Sequence, residues 1–309
     1  MIFVDVGAEK SVFANGIHDD TKALQMCIDR AREGGTVFFP DGTYLVSASL
    51  IFYSNQRLVF SDEARLLRSA EGERITRYIL SSYSEPDVDG YDGTHDVEII
   101  GGIFDGNAQT DEFLTILNTV HCRNITVKNC RFVHGAGWHC IEFNSTDGIL
   151  VSGCAFDGGS YTRMRPDLSN ELIQTDAPDV NSYGPVYDWE WKLIAHKLGK
   201  TPCRNVTIEH CLFKCAGFPA IGHHGNHNHE NIVIRNNIFY GRSCADGKSR
   251  GYITFMPHVS GVQVYGNTFV SDADEGDGNK LFEVKNQTPG AWEIGENAYY
   301  GAFDDRPAE

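Results

Sequence analysis

No stretch of the chain approaches the roughly 18 consecutive apolar residues that a membrane-spanning helix needs. None of the nine cysteines stands in a CxxC pair, which removes the usual ribbon-type zinc sites and dithiol redox motifs. Positive charge is scarce: 26 Lys and Arg face 42 Asp and Glu, a formal net charge of −16. The resulting pI is near 5.1. A surface this acidic repels phosphate backbones and anionic lipid, so neither nucleic acid nor a membrane is an expected partner. An odd cysteine count in apolar surroundings reads as reduced core thiols, which favours a cytoplasmic protein. Met1 to Gly16 lacks a basic, an apolar and a cleavage region. A chain trimmed of its signal peptide would look the same and would be secreted.

Metal signatures are equally thin. The run His223-His224-Gly225-Asn226-His227-Asn228-His229 has no acid at a zinc-site spacing. Asp272 to Gly278 lacks the bidentate Glu of a calcium loop. No metal and no cofactor are expected.

A repeat is present. A turn residue, β-branched residues at alternate positions, a Cys or Asn, and an aromatic two further on recur along the chain. The copies are Asp96 to Phe104, Asn124 to Phe132, Gly148 to Phe156, Asn205 to Phe213, Asn231 to Phe239 and Gly261 to Phe269, with a degenerate one from Trp292 to Tyr299. The 24- to 30-residue spacing, broken once by a long insertion, is that of a solenoid whose coils bury apolar residues by stacking. The fold expected is an all-β, right-handed parallel β-helix. Val97, Val127, Val151, Ile208, Ile234 and Val264 should face inward, with the phenylalanines in one stack. Upstream, Asp19-Asp20-Thr21, the apolar series Ala23, Leu24, Cys27, Ile28 and Ala31, and the stop Gly34-Gly35 describe an amphipathic capping helix. The whole chain, 1–309, then forms a single domain, with a cap over about 1–50 and an insertion at 160–203.

The segment from Gly16 to Ser49 closely resembles the N-terminal signature of the pectate-lyase superfamily and of proteins related to glycoside hydrolase family 28. That resemblance implies the β-helix fold and a carbohydrate substrate.

A further strand precedes each repeat: Leu114-Thr115-Ile116, Ile141-Glu142-Phe143-Asn144, Ile173-Gln174-Thr175-Asp176, Ile221-Gly222-His223-His224, Ile253-Thr254-Phe255-Met256 and Phe282-Glu283-Val284-Lys285. With the apolar positions inward, Glu142, Asn144, Gln174, Asp176, His224, Thr254, Glu283 and Lys285 form an outward ladder. Glu142 and Asp176 are diagonal, about 8 Å apart by strand spacing. Such a separation leaves room for a water and suits an inverting glycosidase. Asp176 and Glu142 are therefore the expected acid and base, with Glu171 and Asp179 as alternates and His224 beside them. Gln174, Asn144, His223, Lys285 and Glu283 would position sugar.

Family-28 polygalacturonases carry an acid, an acid pair, Gly-His-Gly and Arg-x-Lys on successive rungs. The resemblance maps these onto Glu142, Asp176, Gly222-His223-His224-Gly225 and Glu283-Val284-Lys285. The Asp-Asp pair is missing and Glu283 stands where Arg belongs, which points to a neutral glycan. In the insertion, Arg163, Arg165, Tyr183, Tyr187, Trp189 and Trp191 would wall the site, with Trp138 and His139 at its floor. A lyase using Lys285 or Arg163 against a uronate is the second enzymatic reading, and a tailspike-like binding protein is the non-enzymatic one. Composition leaves the oligomeric state open.

Overall fold

A strand that must stack on identical neighbours needs the same side chain inward on every rung, and a turn that repeats the same backbone angles. A computed structural model describes residues 2–70, 77–107, 114–135, 139–157, 171–179, 186–216, 219–223, 228–242, 251–255, 259–274, 279–284 and 292–305, and it meets both needs. Three long parallel sheets of ten, ten and eight strands wind around one core. The chain is a right-handed parallel β-helix. Each coil adds one strand to each sheet, as with Arg123–Lys128, Arg131–Val133 and Ile141–Asn144.

The turn residues have a backbone reason. Asp96, Asn124, Gly148, Asn205, Asn231 and Gly261 all have φ between 54° and 77°. Asx residues and glycine tolerate this left-handed region better than β-branched residues. A second left-handed set, Asn129, Gly153, His210, Asn236 and Gly266, turns the chain from the first sheet into the second. The next residue, Cys130, Cys154, Cys211, Asn237 or Asn267, is buried. The asparagines among them hold the turns together: Asn237 Oδ1 accepts from the Cys211 N–H at 2.9 Å, Asn267 Oδ1 from Asn237 and Asn297 Oδ1 from Asn267.

Val97, Val127, Val151, Ile208, Ile234 and Val264 are buried as expected. Phe104, Phe132, Phe156, Phe213, Phe239 and Phe269 stack with centroids 4.7–5.2 Å apart. Tyr299 extends the stack at the far end. Two earlier coils, invisible in the repeat, continue it through Phe39 and Phe60, which sit in the first sheet instead of the second. The eight described cysteines are free and buried. Burial pushes the thiols of Cys122, Cys140 and Cys203 up to about 12, so they are inert packing groups.

The cap helix spans Thr21–Arg30 and buries Ala23, Leu24, Cys27 and Ile28. Asp20 occupies the N-cap position without capping; its carboxylate accepts from the Phe13 and Ala14 N–H groups. Asp19 Oδ1 accepts from the Thr21 N–H instead. Within the segment 160–203, Ile173–Asp176 forms a rung of the third sheet, as its alternation predicts. Beyond it a short hairpin, Val186–Tyr187 with Leu193–Ile194, lies against Ile51 and Tyr78 of the third sheet's first two strands.

Candidate functional site

The third sheet supplies the polar layer. Its core side carries Leu117, Ile141, Ile173, Ile221 and Ile253 in register. Strand alternation puts the next residues on the outer face, giving the row Ser81, Asn118, Glu142, Gln174, Gly222, Thr254 and Glu283. Two positions further on, Asn144 is opposite Asp176. The expected register thus appears from Ile141 onward. It fails one strand earlier: Leu117, not Leu114, pairs with Ile141, and Asn118 is the ladder residue.

On these two rungs acids and amides alternate both along and across the strands. Asn144 Nδ2 donates to Glu142 Oε1 at 3.2 Å and to Asn118 Oδ1 at 3.0 Å. Thr115 Oγ1 donates to Glu142 Oε2 at 3.3 Å. One rung on the order is reversed: Gln174 Nε2 donates to Asp176 Oδ2 at 3.2 Å, and the Ala177 N–H to Asp176 Oδ1 at 2.7 Å. Strand spacing sets the diagonal acids about 8 Å apart. The layer is covered, not open: Glu142 is 1% exposed and Gln174 and Asp176 2%. An open groove was expected, and the correction has a physical cause. Hydrogen-bonded neighbours 4.8 Å apart hide one another, and any chain lying over the sheet seals the rest.

Glu171 joins this layer. Gly222 has no side chain, and a Cβ built there would lie 2.2 Å from Glu171 Cγ and 2.6 Å from its Oε1. The carboxylate therefore fills the gap beside Gln174. The Glu171 carbonyl accepts from His139 Nδ1 at 2.6 Å if that nitrogen carries the proton, which fixes the chain ahead of the strand. Asp179 is half-buried in the turn leaving Asp176, its N–H donating to the Ala177 carbonyl.

Two expected sugar-binding residues are placed elsewhere, and a third, Glu283, keeps its ladder position at the far end of the row. His223 pairs with Thr175 on the inward side, its Nδ1 2.7 Å from Thr175 Oγ1, and is fully buried; the period of two sends it to the core. Trp189 lies under the Lys22 ammonium, 5.1 Å from its ring centre, so it packs on the cap helix. Glu283 is three rungs from Gln174, half-buried at the end of the row. His224, Lys285, Arg163, Arg165, Trp138 and Tyr183 lie outside the described residues, as does most of the Asp272 to Gly278 turn. Among the described residues no cluster of His, Cys, Asp and Glu is arranged to hold a metal ion.

Three parallel sheets around one core, with a polar layer of acids and amides on one outer face, define a right-handed parallel β-helix protein. Residues 3–61 match the family model described as rhamnogalacturonase A/epimerase, pectate lyase-like. The chain is 27% identical over 286 residues to plasmin and fibronectin-binding protein A of Streptococcus pneumoniae, covering 82% of this chain and 37% of that protein. It therefore spans little more than a third of that relative's length. Among solved structures it resembles PfbA, described as a surface adhesin of Streptococcus pneumoniae, at 20% identity and a TM-score of 0.64, covering 96% of this chain and 81% of that one. It also resembles a hyperthermoactive exopolygalacturonase from Thermotoga maritima at 12% identity and a TM-score of 0.64, covering 96% and 76%. These structural likenesses show the fold. The expected cytoplasmic location finds no support among them. Nor do the thiols argue for it, because a thiol sealed between stacked coils stays reduced in any compartment. No described helix is long and apolar enough to cross a membrane.

Proposed function

We propose that the chain is a carbohydrate-active hydrolase working at the cell surface or beyond it, with its reaction centre in the acid–amide layer of the third sheet. One observation carries this reading: Glu142 and Asp176 stand diagonally on adjacent rungs, each held by an amide, at a spacing that suits inversion through a water. Asp176 and Glu142 act as the acid and base pair, one protonating the leaving oxygen while the other draws a proton from water. Glu171, over Gly222, supplies a third carboxylate beside the sugar. Asn144, Gln174 and Asn118 orient the pair. Entry of a glycan then requires whatever covers the layer to move aside. The surface location rests on the adhesin relatives.

A second reading, adhesion without catalysis, is favoured by the burial of the acids and by the description of the Streptococcus pneumoniae relative. Digestion of a panel of neutral and uronate polysaccharides, read by reducing-end release, separates the two. Hydrolysis predicts new reducing ends without ultraviolet-absorbing unsaturated ends, abolished by Asp176→Asn and by Glu142→Gln in variants whose circular dichroism shows the fold retained. Release from no glycan would leave the adhesin reading, and absorbing products would indicate a lyase.

A further inference from the structure

A cavity lies where the third sheet turns into the first near the cap helix, on coils one to three rungs from the Glu142 strand. It encloses about 330 Å³. Tyr53 and Tyr83, which leave successive third-sheet strands, form one wall with ring centres 5.3 Å apart. Arg32, just beyond the cap helix, lays its guanidinium 4.8 and 5.2 Å from the two ring centres. His95 and Arg123, in register on adjacent first-sheet strands, form the opposite wall.

The walls are fixed. Tyr53 Oη donates to Asp29 at 2.8 Å and Tyr83 Oη to Glu85 at 2.6 Å. Thr94 Oγ1 donates to the Tyr83 carbonyl at 2.6 Å, and the His95 N–H to Ser54 Oγ at 3.1 Å. Arg123 reaches only one described carboxylate, Asp92, and at 3.9 Å, which leaves its guanidinium donors available toward the cavity. Against the two arginines stand Glu33, Glu85 and Asp92, so the charges nearly cancel.

The geometry points to this cavity as a binding site for a neutral saccharide, independent of the proposed hydrolytic centre. A preformed cleft of this size suits one or two sugar units. Planar guanidinium forks and nearby carboxylates offer donors and acceptors to paired hydroxyls. Their balanced charge holds no ion, and the tyrosines supply the apolar wall a sugar ring needs. A sugar held here would keep a glycan at the protein while the acid layer, about 5–14 Å further along the sheet by rung spacing, remains separate.

Calorimetric titration with maltotetraose, cellotetraose, mannotetraose, xylotetraose, β-1,4-galactotetraose and trigalacturonate tests the assignment on the whole chain. At least one neutral oligosaccharide should bind, and Arg32→Ala and Arg123→Ala should each weaken it about tenfold, as loss of a charge-assisted hydrogen bond does. Both arginines are exposed enough that the melting temperature should hold, and Arg123→Lys should retain partial affinity. Binding should persist in Asp176→Asn, which separates this site from the proposed hydrolytic one. The assignment is overturned if no neutral probe binds, if trigalacturonate alone binds, or if both alanine variants bind as the unaltered protein does.

Discussion

Phe156→Ala removes a ring from the middle of the aromatic stack. Phe156 is 1% exposed and lies between Phe132, at 5.0 Å and 3° from parallel, and Phe213, at 4.8 Å and 6°. Truncating a core Phe to Ala costs about 3–5 kcal/mol, from lost transfer energy and an unfilled cavity. Each stacked pair accounts for about 0.5–1.5 kcal/mol of that. The high end is expected here, because continuous sheet ladders on both sides prevent the coil from collapsing onto the hole. Tyr299→Ala is the internal control: that ring is half-buried at the C-terminal end, stacked on Phe269 at 5.7 Å with Phe303 edge-on at 6.4 Å, so roughly half the cost is expected. Urea unfolding followed by circular dichroism reads both as midpoint shifts at constant slope. A Phe156→Ala cost below about 1 kcal/mol, or one equal to that of Tyr299→Ala, would refute the claim that the stack carries the core.

Gly222→Ala forces the Glu171 side chain out of its place; a stability loss of about 1–3 kcal/mol is expected, and turnover, if the hydrolase reading holds, should fall further than the melting temperature suggests. His196 tests the return segment of the insertion. Burial, with a smaller contribution from His121, pushes its imidazole down to about 4. The fold thus holds it neutral, while the unfolded chain takes up a proton near pH 6.5. Stability should be complete above pH 6.5 and fall as pH drops toward 4, by at most roughly 3 kcal/mol, and His196→Gln should flatten melting temperature against pH over that window. Asn144→Asp should place a second acid directly opposite Asp176 and lower the melting temperature increasingly as pH rises from 4 to 8; a pH-independent change would refute the pairing.

The coils from Asp96 onward were legible because stacking repeats one demand on every rung: a left-handed turn, alternating β-branched residues, then an inward Cys or Asn and an aromatic. The coils before it were not, because Phe39 and Phe60 reach the same stack from a different sheet and carry no Cys or Asn signal. The third sheet was readable from Ile141, where apolar and polar residues alternate. At Thr115–Val120 every residue is buried on both faces, so Leu114, Ile116 and Leu117 compete for the inward register and alternation cannot choose. The pattern Leu117-Asn118-Thr119, matching Ile173-Gln174-Thr175, was the available signal. The burial of the outer face left no trace in the strands, whose alternation reads the same whether that face is open or covered. Distance along the chain hid Trp189 on the cap helix, more than 160 residues upstream.

The alternation of acids and amides explains how a covered layer tolerates carboxylates. Were Glu142 directly opposite an acid, two charges about 4.8 Å apart would repel by about 3.5 kcal/mol at an effective dielectric near 20. On the diagonal, about 8 Å apart, the repulsion falls to about 2 kcal/mol. The intervening amides do more than space the charges. Each donates to the acid on its own strand, Asn144 to Glu142 and Gln174 to Asp176, and so returns part of the lost hydration. Reversing acid and amide between the two rungs satisfies both conditions at once, whereas repeating one order would stack acid on acid. A surface row of mixed polar residues has no need of that reversal; two carboxylates kept close and buried do. That need is what joins the sequence order Glu-Phe-Asn over Gln-Thr-Asp to the chemistry proposed for it.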